Sequence, residues 1–258
     1  MSEVYFLGTG GAAATVERDN TALLLRHEKS LVLVDCPGSV TRKVKALGLD
    51  PRNVRAIQIT HVHPDHIYGL PSLVHSLMLD DLRIPLFGSG ETIRFCRELL
   101  DLYGLQDESI RCRIEFVALS SADRFEPCTG VECRAFHVPH KESSLAFEWR
   151  FPVDGKTLIY SGDTPVYPPL FKQAAGIDTL IHDCSVPSRY FQEYPFLPSM
   201  HANSLDLGRM AQDARIKRLI PCHFFGELDY AMEEITDEIR THFRGDLIIP
   251  QDLMEVRL

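Results

Sequence analysis

The stretch His61-Val62-His63-Pro64-Asp65-His66 places three imidazoles and a carboxylate in one short segment. Imidazole nitrogens and carboxylate oxygens are ligands for zinc, manganese or iron. The run just upstream, VRAIQIT at 54–60, has the length and β-branched content of a buried strand. A strand end that opens into a loop can aim His61 and His63 at one ion and turn Asp65 and His66 toward a second. Groups of the same chemistry recur where other predicted strands end, at His140, Asp163, Asp183 and His223. Polar groups at strand ends converge in space, so the spacing suits two metals held close together. The scattered His27, His75 and His242 read instead as ordinary core or surface histidines.

The elements that must position these groups follow from periodicity. VYFLGTG is a strand, and TALLLRH and SLVLVDC flank the turn EKS as a hairpin. SVTRKVKALG reads as a short amphipathic helix with Ser39 as N-cap and Gly48 as its stop. LPSLVHSLMLDD and ETIRFCRELLDLYG are further helices, and RIEFVAL, VECRAFHV and SLAFEWRF are strands. KTLIYSGD and DTLIHDCS are strands that end in acids. SLDLGRMAQDA is a helix leading into strand KRLIPCHF, and AMEEITDEIRTHF is a helix before the final strands DLIIPQ and MEVRL. Alternating β and α with a strand-rich first part predicts an α/β protein with helix-covered sheets. Ligands in such folds gather beyond the C-terminal strand ends.

The 258 residues, 45% hydrophobic, suit a single domain spanning residues 1–258. The seven cysteines are odd in number and lack CxxC spacing, which points to a reducing cytoplasm and away from a disulfide framework. Cys36, Cys184 and Cys222 lie near the motifs but read as buried structural thiols; Cys222 precedes His223 in a strand, so its side chain takes the opposite face. There is no signal-like N-terminus and no run of eighteen apolar residues, so a soluble protein without a membrane partner is expected. With 27 basic and 36 acidic residues, the net charge of −9 disfavours extended nucleic-acid binding. The DARIKRL run (Arg215, Lys217, Arg218) is a local exception or a solvated helix end. GTGG at 8–11 is not a nucleotide-binding GxGxxG, and a turn that needs positive φ accounts for it.

The stretch THVHPDHIYGL resembles the HxHxDH signature of the metallo-β-lactamase superfamily, and its flanks resemble the ribonuclease Z and arylsulfatase-like branch. FLGTGGAAATVERDNTALLL resembles that branch's glycine loop and Arg-x-Asn element (Arg18, Asn20), which would order the floor of the site. LVDCPGSVTRKVKALGLDP is similar to its Asp-Cys-Gly strand and helix. VPHKESSLAFEWRF, IYSGDT, DTLIHDCS and MHANSLDLGRMAQDARIKRLIPCHF resemble the later motifs in order. The resemblance implies an αββα sandwich, two mixed β-sheets flanked by helices, with two divalent metals, zinc first and manganese or iron as alternatives. It makes His61, His63 and His140 ligands of one metal, Asp65, His66 and His223 ligands of the other, and Asp163 the bridge. His137 is the rival of His140; His140 is chosen for its place after Val-Pro and before the next strand. His201 corresponds to the family's proton donor, although HANS departs from the family's His-Ser/Thr. Asp183 stands where the family has glutamate, either supporting His201 or capping a loop.

Metal coordination lowers a water's pKa from about 15.7 toward about 7, so a bridging hydroxide is the expected nucleophile. Asp65 would orient it and His201 would protonate the leaving oxygen. Transfer-RNA-processing members of the branch carry a long basic arm between the third and fourth motifs, and KESSLAFEWRFPVDGKTLIYSG leaves it no room. The expected activity is therefore a phosphodiesterase-type hydrolase of small or cyclic phosphodiesters, with Lys141 and Arg189 as cations that could meet a phosphate. The alternatives are transfer-RNA 3′ processing, a sulfatase or lactonase on the same scaffold, and a non-catalytic metal-binding scaffold. Histidine where flavin-dependent diiron proteins carry HxExD disfavours that class. The resemblance also suggests a homodimer, with LPSLVHSLMLDD as either its face or a core-facing helix.

Overall fold

The computed structural model describes residues 2–258. Its strands are β1 (Ser2–Gly8), β2 (Ala22–His27), β3 (Ser30–Val34), β4 (Val54–Gln58), β5 (Arg83–Ser89), β6 (Arg113–Leu119), β7 (Arg124–Cys128), β8 (Val131–His137), β9 (Leu145–Phe151), β10 (Lys156–Tyr160), β11 (Thr179–Asp183), β12 (Arg218–Cys222), β13 (Asp246–Leu247) and β14 (Glu255–Arg257). They form two sheets, ordered β14-β1-β2-β3-β4-β5-β6 and β13-β12-β11-β10-β9-β8-β7. Each is mixed. In the first, β3 to β6 run parallel and β1 pairs antiparallel with β2 and β14. In the second, β10 to β13 run parallel and β7 to β10 antiparallel.

The helices are α1 (Val40–Ala46), α2 (Pro64–Ile67), α3 (Leu70–Ser76), α4 (Gly90–Leu102), α5 (Pro168–Gln173), α6 (Tyr190–Glu193), α7 (Ser204–Asp213) and α8 (Met232–His242). The period-2 alternation of the strands sorts apolar side chains between layers. Val4 and Phe6 of β1 meet Phe147, Trp149 and Ile181 of the other sheet, whereas Tyr5 and Leu7 pack with α1, α3 and α4. On the far side, Ile159, Leu180 and Leu219 pack with α5, α7 and α8. The result is a four-layer αββα sandwich whose strands, buried on both faces, read as nearly continuous apolar runs. The Trp149 indole donates to Gln58 Oε1 at 2.9 Å, tying β9 to β4 across the central layer.

Several elements differ from the sequence expectation. Ser39 sits at the N-cap position of α1 but in the left-handed region (φ 64°), and its hydroxyl makes no cap bond. α3 stops at Ser76, short of the expected LPSLVHSLMLDD, and it buries Leu70, Leu73 and Val74 toward the core. β5 carries Pro85, a residue that argues against an inner strand. Its register with β4 is confined to Leu86 and Phe87, so the missing N–H lies outside that ladder. DLIIPQ contributes only the two residues of β13. Among the described residues no helix is long and apolar enough to cross a membrane. All seven cysteines are free and buried, and burial pushes the Cys36, Cys184 and Cys222 thiols well above their ordinary range.

Candidate active site

The C-terminal ends of β4, β10, β11 and β12 converge with the loop after β8 along one edge of the sandwich. Leu145 N–H donates to Thr60 O at 3.0 Å, joining the two sheets beside the site. Gly162 holds φ 60° immediately before Asp163, a conformation open to glycine without strain, and it turns the strand end inward. His223 and Asp35 also take left-handed backbone, at φ 65° and 61°, a cost accepted where the surroundings fix the chain. Gly69 lets α2 and α3 close on the loop after β3, because a Cβ there would stand 1.8 Å from Pro37 O.

This edge gathers His61, His63, His140 and Asp163 into one set and Asp65, His66, Asp163 and His223 into another, each with its potential ligand atoms within 4.8 Å. Asp163 is common to both. In the first set His61 Nε2 lies 2.9 Å and His140 Nε2 3.1 Å from His63 Nδ1, with Asp163 Oδ2 3.7 and 3.8 Å from His61 and His140. These separations bracket the edge of about 3.3 Å of a tetrahedron with metal–nitrogen bonds near 2.0 Å. In the second set, Asp163 Oδ2 is 3.2 Å from His66 Nε2 and 3.1 Å from His223 Nε2, and Asp65 Oδ2 is 3.4 and 3.5 Å from the same nitrogens. His66 Nε2, His223 Nε2 and Asp163 Oδ1 are buried without a well-formed hydrogen bond among the described residues. Buried polar atoms are rarely left so unless an ion or water takes the place. The donor set and these orphaned atoms therefore fit divalent cations.

Outer contacts fix each ring. Asp35, fully buried, accepts from His66 Nδ1 at 2.8 Å and from Thr60 N–H and hydroxyl. His140 Nδ1 donates to Met200 O at 2.9 Å. Ser185 Oγ lies 3.3 Å from His223 Nδ1 and donates to Asp183 Oδ1 at 2.8 Å. Such partners set which imidazole nitrogen is free to ligate. Burial, aided by the neighbouring His140 and Lys141, lowers His63 to about 4, so its imidazole is neutral at ordinary pH. Burial works against a proton on His66 and His223, yet the Asp163 carboxylate beside both outweighs it. His66 is raised well above its usual range and His223 to about 10. Burial opposes ionisation of Asp163 too, and His223 and His66 nevertheless hold it well below the usual carboxylate range. Without metal, protons on these imidazoles balance the acids, and cations would replace them.

His201 enters from the loop before α7, its Nδ1 2.7 Å from Asp183 Oδ2. Asp183, fully buried, also accepts from Thr164 N–H at 3.1 Å. A shorter acid thus reaches His201 directly, while Asn203 of HANS caps α7 through Asp206 N–H. The His201 ring packs 5.0 Å from His140 and 5.2 Å from His223, between the two donor sets.

The rival His137 is exposed at the end of β8, and its backbone N–H bonds Ser121 Oγ, away from the cluster. Arg189 is engaged with Glu234 at 2.6 Å and lies over Tyr190, so it is not offered to a phosphate. Lys217 and Arg218 are paired with Asp178 and Asp246, which removes the DARIKRL run as a basic patch. Arg18 donates to Thr9 Oγ1 and Pro250 O, and Asn20 to Gly11 O and Ala12 O, which orders the glycine loop; the positive φ expected of GTGG is absent, and close approach accounts for its glycines instead, a Cβ on Gly8 falling 1.9 Å from Asn20 O. Sequence reasoning assigned no role to Asp35 or Ser185. Asp35 was detectable as a third acid at a strand end, beside Asp163 and Asp183.

Solved structures share this architecture. YhfI from Bacillus subtilis, described as a metallo-β-lactamase fold protein, matches with a TM-score of 0.81 at 18% identity over 100% of both chains. The short form of human tRNase Z matches with a TM-score of 0.78 at 21% identity, covering 99% of this chain and 98% of that one. In sequence, a ribonuclease Z from Methanosarcina acetivorans is 23% identical over 308 aligned residues, covering 100% of this chain and 98% of the relative. Fold and donor sets together place the molecule among the metal-dependent hydrolases of the metallo-β-lactamase superfamily. Within it, the chain belongs to the family described as Anti-Pycsar protein Apyc1, whose model matches residues 2–230.

Proposed function

We propose that the chain hydrolyses small phosphodiesters, cyclic ones included, with His61, His63 and His140 holding one divalent cation, Asp65, His66 and His223 a second, and Asp163 shared between them. Bound there, the cations would acidify a water and draw charge from the phosphoryl oxygens; zinc is the first candidate and manganese or iron the alternatives. Asp65, at the N-terminal turn of α2, orients the attacking water and takes its proton. His201 delivers a proton to the departing oxygen, and Asp183 fixes the ring with Nδ1 carrying a proton and Nε2 facing the site.

The observation that supports a small substrate is the connection from His140 to Asp163. It consists of a loop, β9, a tight turn at 152–155 and β10, with no projecting arm among the described residues. The Methanosarcina ribonuclease Z alignment runs over 308 residues against the 258 of this chain, so that relative carries insertions absent here. A second reading, transfer-RNA 3′ processing, draws on the ribonuclease Z relatives that align along the full chain. Turnover of bis(p-nitrophenyl) phosphate, an aryl sulfate, a lactone and a transfer-RNA precursor by one metal-defined preparation separates these readings. Silence on the phosphodiester would overturn the first.

A further inference from the structure

The outer face of the second sheet carries a charge arrangement in which the metal-bearing edge has no part. Alternation along β8 and β9 turns Cys133, Phe147 and Trp149 into the central layer, so Glu132, Arg134, Glu148 and Arg150 stand on the opposite face. Register sets Arg124 of β7 directly opposite Arg134 of β8, and Arg134 opposite Glu148 of β9. Like charges facing each other across an antiparallel pair are destabilising, and a counter-charge between them removes the penalty. The acid best placed to supply it is engaged elsewhere. Glu148 Oε1 accepts from Arg150 Nε at 2.9 Å and from its Nη2 at 2.7 Å, while Oε2 accepts from Gln173 Nε2 at 2.9 Å. Glu126 Oε1 accepts from Gly130 N–H at 2.7 Å, and Glu132 stands opposite Arg150, one row away.

Arg124 and Arg134 thus have no side-chain hydrogen bond or ion pair among the described residues. The Nε–H of Arg134 is moreover buried. A buried donor left so costs stability unless a ligand or water supplies the acceptor. Both arginines line a cavity of about 440 Å³, none of whose lining residues belongs to the two metal donor sets.

We infer that Arg124 and Arg134 form a binding site for a free phosphate dianion, separate from the catalytic edge. Each guanidinium presents a planar fork of N–H donors that matches two oxygens of a tetrahedral oxyanion, and two guanidiniums match its double charge. Bound there, the anion accepts from the buried Arg134 Nε–H and converts the repulsion between the paired strands into attraction toward a shared centre. The net charge of −9 works against general anion binding, so capture depends on these two side chains. The site stands whether or not the substrate reading above holds, because it shares no residue with the metal-bearing edge.

The test titrates zinc-loaded protein with inorganic phosphate, and in parallel with sodium chloride at matched ionic strength, while NMR follows the arginine Nε–H resonances. The Arg134 resonance is identified by its loss in Arg134→Lys. It should move saturably with phosphate and stay in place with chloride. Arg124 is exposed, so Arg124→Gln leaves the fold intact and Arg134 still reports binding. In that variant phosphate affinity should fall at least about 10-fold, the effect of losing one charge-assisted contact. Melting curves supply a second readout. Phosphate at the metal edge and general salt effects are common to wild type and Arg134→Gln, so any surplus stabilisation of wild type by phosphate belongs to this site. A surplus is expected, and without phosphate Arg134→Gln should melt no lower than wild type. An Arg134 resonance that phosphate leaves in place, or that chloride moves equally, would overturn the inference. Equal phosphate stabilisation of wild type and Arg134→Gln would do the same and leave Arg134 a purely structural role.

Discussion

Replacing Asp183 with asparagine separates the proton-donor role of His201 from metal binding. The amide oxygen can keep the Oδ2 position, still accepting from His201 Nδ1 (2.7 Å) and Thr164 N–H (3.1 Å). The new NH₂ then faces the Ser185 hydroxyl, which can turn to accept it. Packing and hydrogen bonding survive, and what disappears is the negative charge beside the imidazole. For charge centres about 4 Å apart at an effective dielectric near 20, that attraction is about 4 kcal/mol. Part of it is retained by the amide dipole, so the loss of proton donation should lie at about 10²- to 10³-fold, within the usual range for a general acid. The assay is kcat on a cyclic phosphodiester, whose alkoxide leaving group needs the proton, against bis(p-nitrophenyl) phosphate, whose phenolate leaves unaided. The alkoxide reaction should fall by that factor and the phenolate reaction by less than about 10-fold, with metal content unchanged. Equal losses on both substrates, or none on the cyclic one, would refute the reasoning.

Two further outcomes follow from the ligand cluster. His63→Ala removes the nitrogen that faces both His61 and His140, so the variant should lose one metal equivalent by elemental analysis and at least about 10²-fold of its hydrolysis; wild-type turnover would discard the assignment. His223 is raised to about 10 in the metal-free fold, above its ordinary value of 6.5. Its proton-linked stabilisation is therefore complete below about 6.5 and lost as pH climbs through about 10. Metal-stripped protein should lose thermal stability between pH 8 and about 10 while metal-loaded protein does not, and parallel melting curves for the two forms would contradict this.

Much of the fold and the donor set was legible because local patterns were strong. Two-face burial produces apolar runs such as LLLRH and LVLV, and imidazoles and carboxylates crowded at a strand end form a donor set suited to metal before all else. The parts that sequence missed were decided by tertiary packing. β5 and β7 each hold a proline, Pro85 and Pro127, and the sequence pattern assigns neither of them an element; neighbouring strands supply their partners. α5 begins with two prolines and is only six residues long, too short for its periodicity to register. Ser39 has a capping residue's chemistry, but the close approach of the loop after β3 to Gly69 holds the chain there in another shape. In the site, the choice between His137 and His140 turned on where β8 ends. The partners Asp35, Ser185 and Met200 O come from segments distant in sequence or carry no motif of their own.

The most direct test is a single experiment on protein of defined metal content: metal equivalents per chain, measured together with turnover of a cyclic phosphodiester and cleavage of a transfer-RNA precursor, for wild type and Asp163→Asn. Asp163 is the one carboxylate shared by both donor sets. The prediction is two equivalents in wild type, hydrolysis of the cyclic diester that chelation abolishes and metal restores, no cleavage of the precursor, and loss of both metal and turnover in Asp163→Asn. Turnover that survives complete metal removal, or precursor cleavage with silence on the cyclic diester, would contradict it.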